Sequence, residues 1–211
     1  MTPTFATDDP VWYVAYASNL SADRLTCYLS GGRPEGGRRT YEGCRDPSPP
    51  TGDEALRLPG RLVFAGQSRV WGGAMAFYDT EADGEVVARG YRLTFGQLSD
   101  LVSQEARHPV GANLTPADVA GRPWPTPSGI YEALVHLGDR DGVPRFCLTS
   151  RRALVPGPPT AAYLRTILRG LGELLGWSAD ERATYLLRAA GVAPAWTHED
   201  LTALALGLAR L

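Results

Sequence analysis

The residues best suited to chemistry lie in a short polar loop that follows a run of strand-forming residues. Trp12, Tyr13 and Val14 are aromatic or β-branched and favour a pleated strand. Ser18 and Asn19 come next, and both favour turns and carry short hydrogen-bonding side chains. Backbone N–H groups are free where a helix begins, and they carry partial positive charge. The loop is therefore predicted to bind an anionic group such as a carboxylate or a phosphate.

A single acidic side chain, Glu105, is the second chemical candidate. Thr94 and Gln97 have the spacing of a capping box, so a helix is predicted to begin there, after a strand over residues 84–93. Glu105 falls in the last turn of this helix, where a carboxylate meets the negative end of the helix dipole. This unfavourable placement requires a reason other than helix stability. The alternative is a solvated glutamate that pairs with Arg107.

The elements that would position these residues are a set of strands followed by helices. A helix capped by Ser21 is predicted to end near Gly31. Apolar residues recur at helical spacing after Thr160, and two further capping boxes begin at Ser178 and Thr197. Strands are predicted over residues 11–16, 61–66, 70–78, 85–93, 129–137 and 145–149.

The loop sequence Tyr16-Ala17-Ser18-Asn19-Leu20 resembles the tyrosine-glycine-serine-asparagine-leucine signature of the gamma-glutamylcyclotransferase-like family. Ala17 departs from the family's glycine, a residue that suggests a backbone with φ > 0 or a close approach of substrate. Three later features also resemble the family. They are Glu105 at a helix end, the small-residue segment that begins at Trp71, and the proline-containing approach to Tyr163.

This resemblance implies an α+β fold, with a small mixed β-barrel-like sheet, peripheral helices and extra helices at the C-terminus. It implies a cyclotransferase that acts on a small-molecule γ-glutamyl or related amide. The α-amine of the substrate would attack its own side-chain carbonyl, releasing 5-oxoproline and an amine, with Glu105 as general acid/base. The implied reaction needs neither a metal nor an organic cofactor. The implied substrate-binding residues are Tyr16, Ala17, Ser18, Asn19, Leu20, Trp71 and Tyr163.

Composition limits the classes of function. The net charge of -2 gives no basic field that would predict a nucleic-acid partner. The sequence contains no lysine, which excludes a lysine Schiff base. Three cysteines without C-x-x-C spacing fit a reducing cytoplasm. No signal peptide and no apolar stretch of about 20 residues is present, so we expect a cytoplasmic protein without a membrane partner.

The chain of 211 residues can bury one core, and we predict a single domain over residues 1–211. Residues 31–59 are rich in Gly, Pro and Arg and are predicted to form a long loop or insertion, either a lid over an anionic substrate or a surface excursion. Residues 177–211 form a predicted helical extension. These helices could cover a sheet edge or form a homodimer interface, and the sequence leaves both open.

Other kinds of site fit less well. Glu105 and His108 have the i, i+3 spacing of some metal-binding helices, but a second such pair is missing. Cys27 has no feature that distinguishes it from a small buried residue. The glycines of residues 31–37 lack the lysine of a phosphate-binding P-loop. Two alternatives stay open: a related amide-cleaving or acyl-transfer enzyme acting on a modified metabolite, and a non-catalytic module that binds a small acid.

Overall fold

A mixed five-stranded sheet forms the centre of the computed structural model, which describes residues 4–121, 131–152, 154–193 and 195–208. The strand order is β2-β5-β1-β7-β6. Strand β1 runs antiparallel to β5 and parallel to β7, which makes the sheet mixed. Two further strands, β3 and β4, pair antiparallel in a separate sheet. The strands are β1 (Pro10–Ala15), β2 (Gly52–Pro59), β3 (Arg61–Ala65), β4 (Met75–Asp79), β5 (Glu85–Thr94), β6 (Ala133–Arg140) and β7 (Val143–Thr149).

The helices lie around these sheets, and the predicted mixed α+β architecture is confirmed. The described strands form an open sheet and a two-stranded sheet, rather than one closed barrel. In the described part of the chain, no helix has the length and apolar character needed to cross a membrane. The helices are α1 (Ala22–Leu29), α2 (Phe95–Ala106), α3 (Pro116–Val119), α4 (Ala161–Leu175), α5 (Ala179–Leu187) and α6 (His198–Ala205).

The helix starts follow the local signals closely. The predicted capping boxes at Thr94, Ser178 and Thr197 are all formed, and they begin α2, α5 and α6. Ser21 is the N-cap residue of α1, but its side chain makes no capping bond. Instead its hydroxyl lies 3.2 Å from a carboxylate oxygen of Glu173 on α4. Ser21 therefore links α1 to a distant helix, at the end of the polar loop.

Strand β1 separates two hydrophobic clusters, because successive side chains of a strand point to opposite faces. Val11, Tyr13 and Ala15 pack in a cluster with residues of α1 and α2. Val14 on the other face packs in a cluster with residues of α4. The loop after β1 lies where these two clusters meet.

Two predicted boundaries are wrong. Residues 31–59 end in strand β2, which pairs with β5 along its whole length. Its residues alternate between partly buried and exposed, so this edge strand has the polar composition of a loop. The strand predicted over residues 70–78 begins only at Met75, because Gly72 has φ 87° in a turn that interrupts pairing. Residues 129 and 130 of another predicted strand lie outside the described residues.

The C-terminal extension joins the core and covers a sheet edge. Ala183, Leu186, Leu201 and Leu204 are buried in the same cluster as α4. The Phe64 N–H donates to the Ala190 carbonyl at 2.7 Å, so the chain after α5 continues along the edge of β3. The segment between α5 and α6 thus pairs with β3, and the homodimer interface left open for these helices stays a prediction.

The buried tyrosines predict that the folded state loses stability at alkaline pH. Burial is the main cause that raises the pKa of Tyr13, Tyr16, Tyr28, Tyr131 and Tyr163 above 10.0, and it raises the pKa of Tyr185 to about 12. Each hydroxyl keeps its proton in the folded state after the unfolded chain has lost it. This contribution is present below pH ~10 and is lost as the pH rises further, at about 1.4 kcal/mol per pH unit and group.

We therefore expect the free energy of unfolding to fall steeply above pH ~10. No lysine titrates in this window, since the sequence has none. Urea unfolding at intervals between pH 8 and 11 measures the effect, and Tyr185→Phe should reduce the slope. A free energy of unfolding that stays constant across this range would contradict the prediction.

Candidate active site

Glu105 lies in the last turn of α2 and contacts a buried hydroxyl of α1. The Tyr28 hydroxyl donates a short hydrogen bond to Oε1 of Glu105. Helix α2 ends directly afterwards, because Arg107 adopts the left-handed conformation at φ 62°. The capping box at one end of α2 and this turn at the other fix where the carboxylate lies. Burial raises the pKa of Tyr28 well above 10.0, against the opposing effect of Arg24, so the hydroxyl keeps the proton that it donates.

A buried arginine lies behind Tyr28. Arg24 is 2% exposed, and its Nη2 donates to the hydroxyls of Tyr28 at 2.8 Å and Tyr41 at 2.7 Å. The guanidinium carbon also lies 4.2 Å and 4.4 Å from the centres of the two tyrosine rings. Arg24, Tyr28 and Glu105 thus form a continuous chain of hydrogen bonds from a permanent cation to the candidate base.

The segment that carries Tyr41 is anchored to α2. Tyr41 and Gly32 exchange two backbone hydrogen bonds of 2.7 Å and 3.0 Å, which fold the segment back on itself. Arg39 Nη1 donates to the Gln104 carbonyl at 2.7 Å, and Arg45 Nε pairs with the buried carboxylate of Asp100 at 3.0 Å. The first part of the predicted insertion is therefore packed beside Glu105.

The predicted anion-binding loop forms a single 3₁₀ turn over Ser18–Leu20. The Leu20 N–H donates to the Ala17 carbonyl at 2.9 Å, and Tyr91 donates to the Asn19 carbonyl at 2.8 Å. Among the described residues, the backbone N–H groups of Ser18 and Asn19 have no backbone acceptor. Two amides without a backbone acceptor therefore lie at the end of β1, and their binding of an anion stays a prediction.

Ala17 itself has φ -132° and ψ -129°. The left-handed backbone suggested by the family's glycine is absent here, so alanine carries no left-handed strain at this position.

The side chain of Asn19 connects the loop to the neighbourhood of Glu105. Its Nδ2 donates to the Tyr13 hydroxyl at 2.9 Å. Burial is the largest cause of the raised pKa of Tyr13, and the negative charge of Glu105 is the next. Tyr13 therefore lies between the loop and the carboxylate, on the face of β1 that packs against α1 and α2.

Trp71 and Tyr163 lie together on the other side of Arg24. Their rings stack with centres 5.3 Å apart, and the guanidinium carbon of Arg24 lies 6.0 Å from the centre of the Trp71 ring. The Tyr163 hydroxyl accepts a hydrogen bond of 3.2 Å from the Ala76 N–H. The structure therefore brings these two predicted residues into the cluster around Arg24.

Tyr16 and Leu20 make contacts that stabilise the fold. The Tyr16 hydroxyl donates to the Leu148 carbonyl at 2.8 Å, and its ring lies 5.8 Å from that of Tyr78. Leu20 is completely buried, and its carbonyl accepts a bond of 3.1 Å from Arg89 Nη1. Both residues hold the loop in place, and their contact with substrate stays a prediction.

The cavity beside Glu105 is small. Its volume is about 30 Å³, and its lining includes Arg39, Tyr41, Val70 and Tyr131. The Arg38 N–H donates to the Val70 carbonyl at 3.0 Å, so the segments 31–45 and 68–72 meet over the carboxylate. Larger grooves of about 490 to 750 Å³ lie elsewhere on the surface. The chemical groups and the open space therefore do not coincide in this conformation.

Sequence reasoning missed Arg24, Tyr28, Tyr41 and Tyr131 as site residues. The first two could have been found, because an arginine on the buried face of an amphipathic helix, with a tyrosine four residues later, is unusual. Tyr41 and Tyr131 enter through long-range packing and leave no local signal.

The alternative metal site is not supported by helix geometry. Helix α2 ends at Ala106, and Arg107 turns the chain before His108, so Glu105 and His108 do not share a helix face. Within the described ranges, no three His, Cys, Asp or Glu side chains are grouped as a metal site would require.

Comparison with known proteins gives a curated relative and several solved structures. No protein-family model matches the sequence. Histone deacetylase 5 of Arabidopsis thaliana is 31% identical over 201 residues, which cover 85% of this chain and 30% of the relative. The chain thus spans less than a third of the length of that relative.

Solved structures resemble most of the chain. An uncharacterized human protein matches with a TM-score of 0.49 and 18% identity, over 92% of this chain and 98% of the other. A gamma-glutamyl cyclotransferase matches with a TM-score of 0.54 and 18% identity, and the match covers 92% of this chain and 98% of the enzyme. The chain therefore has the gamma-glutamylcyclotransferase-like fold.

Proposed function

We propose that the chain is a cyclotransferase that cleaves a γ-glutamyl amide by intramolecular attack of the α-amine, releasing 5-oxoproline and an amine. The main support is the position of Glu105, whose carboxylate accepts a hydrogen bond from the Tyr28 hydroxyl and lines a small cavity. The fold shared with a gamma-glutamyl cyclotransferase agrees with this proposal.

The reaction moves two protons from the α-ammonium group to the leaving nitrogen, and one carboxylate can carry them in turn. Glu105 takes a proton from the α-ammonium group, which frees the amine lone pair to attack the γ-carbonyl carbon. A new C–N bond closes the five-membered ring, and the original amide C–N bond then breaks. Glu105 gives the first proton to the leaving nitrogen and takes the second from the ring nitrogen, which would otherwise stay protonated. That second proton passes to the released amine, which departs as an ammonium ion. No water is consumed, and nucleophile and electrophile are already in one molecule.

The free amides of Ser18 and Asn19 supply the second requirement. They can hold the α-carboxylate of the substrate and the negative charge that develops on the γ-carbonyl oxygen. Both amides are fixed before substrate arrives, because Tyr91 and Arg89 bind the carbonyls of the same turn. Trp71 and Tyr163 form an aromatic wall on the far side of Arg24 in this proposal.

Substrate entry requires the covering segments to move, because a cavity of about 30 Å³ holds little more than one or two water molecules. The segments 31–45 and 68–72 supply Arg39, Tyr41 and Val70 to its wall. The amine half of the substrate would contact these segments. This arrangement also suits the alternative of a larger modified amide, for which the arginine-rich segment would be the recognition surface.

A panel of γ-glutamyl amides tests the proposal. The amine half should vary from amino acids to alkyl and aromatic amines, and mass spectrometry should follow both products. We expect 5-oxoproline and the free amine in equal amounts from at least one substrate. Binding without turnover across the panel would favour the alternative of a small-acid-binding module, and production of glutamate would favour hydrolysis.

Tyr28→Phe should lower kcat by about 10- to 100-fold with little change in KM, because a hydrogen bond to a charged group is worth about 1.5–3 kcal/mol. The hydroxyl positions Glu105, and phenylalanine keeps the packing of the ring. Tyr78→Phe is the matched control, since its hydroxyl donates to the Pro59 carbonyl at 2.6 Å and makes no bond to Glu105. Equal kcat values in the two variants would remove Tyr28 from this role.

A further inference from the structure

Arg24 carries a buried positive charge with unused donors. Its Nε and Nη1 atoms are inaccessible to solvent and have no hydrogen-bond partner. Only Nη2 is bonded, and its two acceptors are neutral hydroxyls. An arginine side chain cannot lose its charge in proteins, so this cation stays in the interior in every state of the site.

The surroundings compensate the charge only in part. The guanidinium lies over the rings of Tyr28, Tyr41 and Trp71. Contact with aromatic ring faces stabilises a cation to a limited extent. Among the described residues, Arg24 forms no direct ion pair, and its link to Glu105 runs through the Tyr28 hydroxyl. A buried charge without an ionic partner is costly, and an arriving carboxylate could accept a charge-assisted hydrogen bond from Nε or from Nη1.

Arg24 is also in the right place for such a ligand. It lies in the first turn of α1, and its N–H donates to the Ser21 carbonyl directly after the polar loop. Tyr13 lies within electrostatic range of both Arg24 and Glu105 and is bonded to Asn19 of the loop. The unused donors, the free amides and the candidate base therefore belong to one cluster.

We propose that Arg24 is a specificity-determining residue that pairs with the α-carboxylate of the substrate alongside the amides of the polar loop, so that amides with a free carboxylate are selected over neutral ones. This inference rests on the proposed function. Tyr41 both packs on the guanidinium and lines the cavity, so its segment must move before a carboxylate reaches Nε or Nη1.

Equilibrium binding tests the inference without any need for turnover. Isothermal titration would compare 5-oxoproline, which carries a carboxylate, with 5-oxoprolinamide, which replaces it by a neutral amide. We expect the wild type to prefer 5-oxoproline by about 10- to 100-fold, as for a hydrogen bond to a charged group. The preference should fall to within about 3-fold in Arg24→Gln, and Arg24→Lys should restore part of it.

Arg165→Gln is the matched control, because Arg165 Nε is also buried without a partner but lies on α4 at a separate groove. It should keep the wild-type preference. Equal affinity of the wild type for the two probes, binding of neither, or an unchanged preference in Arg24→Gln would overturn the inference. Absence of 5-oxoproline release from γ-glutamyl amides would instead count against the proposed reaction, since binding and turnover are measured separately.

Thermal unfolding distinguishes this role from a structural one. Replacing an uncompensated buried charge with an apolar side chain of similar length is often neutral or stabilising. Arg24→Met should therefore unfold at the wild-type temperature or above it, while 5-oxoproline raises the melting temperature of the wild type alone. A large fall in melting temperature in Arg24→Met, with equal stabilisation of both proteins by 5-oxoproline, would show that Arg24 serves the fold.

Discussion

Glu105→Gln will lower kcat/KM for 5-oxoproline formation by about 10²- to 10⁴-fold, the usual contribution of a general acid or base. The substitution removes the proton acceptor and keeps the size of the side chain. The carbonyl oxygen of glutamine can still accept the hydrogen bond from the Tyr28 hydroxyl, so the end of α2 should keep its position. Steady-state assays with the best substrate of the panel measure this effect, and circular dichroism checks the fold.

Glu42→Gln provides the control for this experiment. Glu42 is exposed on the segment that covers the cavity, and its carboxylate accepts a hydrogen bond of 3.3 Å from the Val110 N–H. We expect it to change kcat/KM by less than about 3-fold, as for a surface residue outside the site. Wild-type turnover in Glu105→Gln would remove this carboxylate from the mechanism.

Gly170→Ala will lower both stability and activity, because Gly170 lets helix α4 approach the polar loop. A Cβ atom there would lie 2.4 Å from the Ser21 nitrogen and 2.5 Å from the Leu20 carbonyl carbon. The collision is with backbone, so either the helix or the loop must shift. Overpacking of this kind costs about 1–3 kcal/mol, and a displacement of about 1 Å in the loop can lower kcat roughly 100-fold.

Gly172→Ala, on the same helix, is the matched control. Its Cβ would lie 2.9 Å from Nη1 of Arg182, the end of a flexible side chain that can move. Alanine also favours a helix over glycine by about 1 kcal/mol. We therefore expect a wild-type or higher melting temperature and unchanged turnover in Gly172→Ala. If both alanine variants behaved alike, close packing at Gly170 would not be what holds the loop.

The features predicted from sequence are those that depend on short-range chemistry. The capping boxes at Thr94, Ser178 and Thr197 satisfy backbone groups within one turn, so three residues suffice to predict each helix start. The end of β1 and the turn at Ser18–Leu20 follow from a change between strand-forming and turn-forming residues. Glu105 could be placed because the start of its helix was fixed by a capping box.

The features that escaped prediction depend on contacts distant in sequence. Strand β2 forms because its backbone pairs with the edge of β5. Its polar residues, taken alone, are typical of a loop. Tyr41 reaches Arg24 through the fold of its whole segment, and Tyr131 reaches the cavity from the start of β6. The composition of residues 31–59 indicated either a lid or a surface excursion, and only packing shows that residues 31–45 lie beside Glu105.

The source of the oxygen atoms in the product tests the proposed reaction most directly. A γ-glutamyl amide would be incubated with the enzyme in ¹⁸O-labelled water, and the glutamyl product would be analysed by mass spectrometry. Intramolecular attack predicts 5-oxoproline without ¹⁸O, because no water enters the reaction, and it predicts loss of this product in Glu105→Gln. Glutamate that carries one ¹⁸O atom would show hydrolysis by water and would contradict a cyclotransferase.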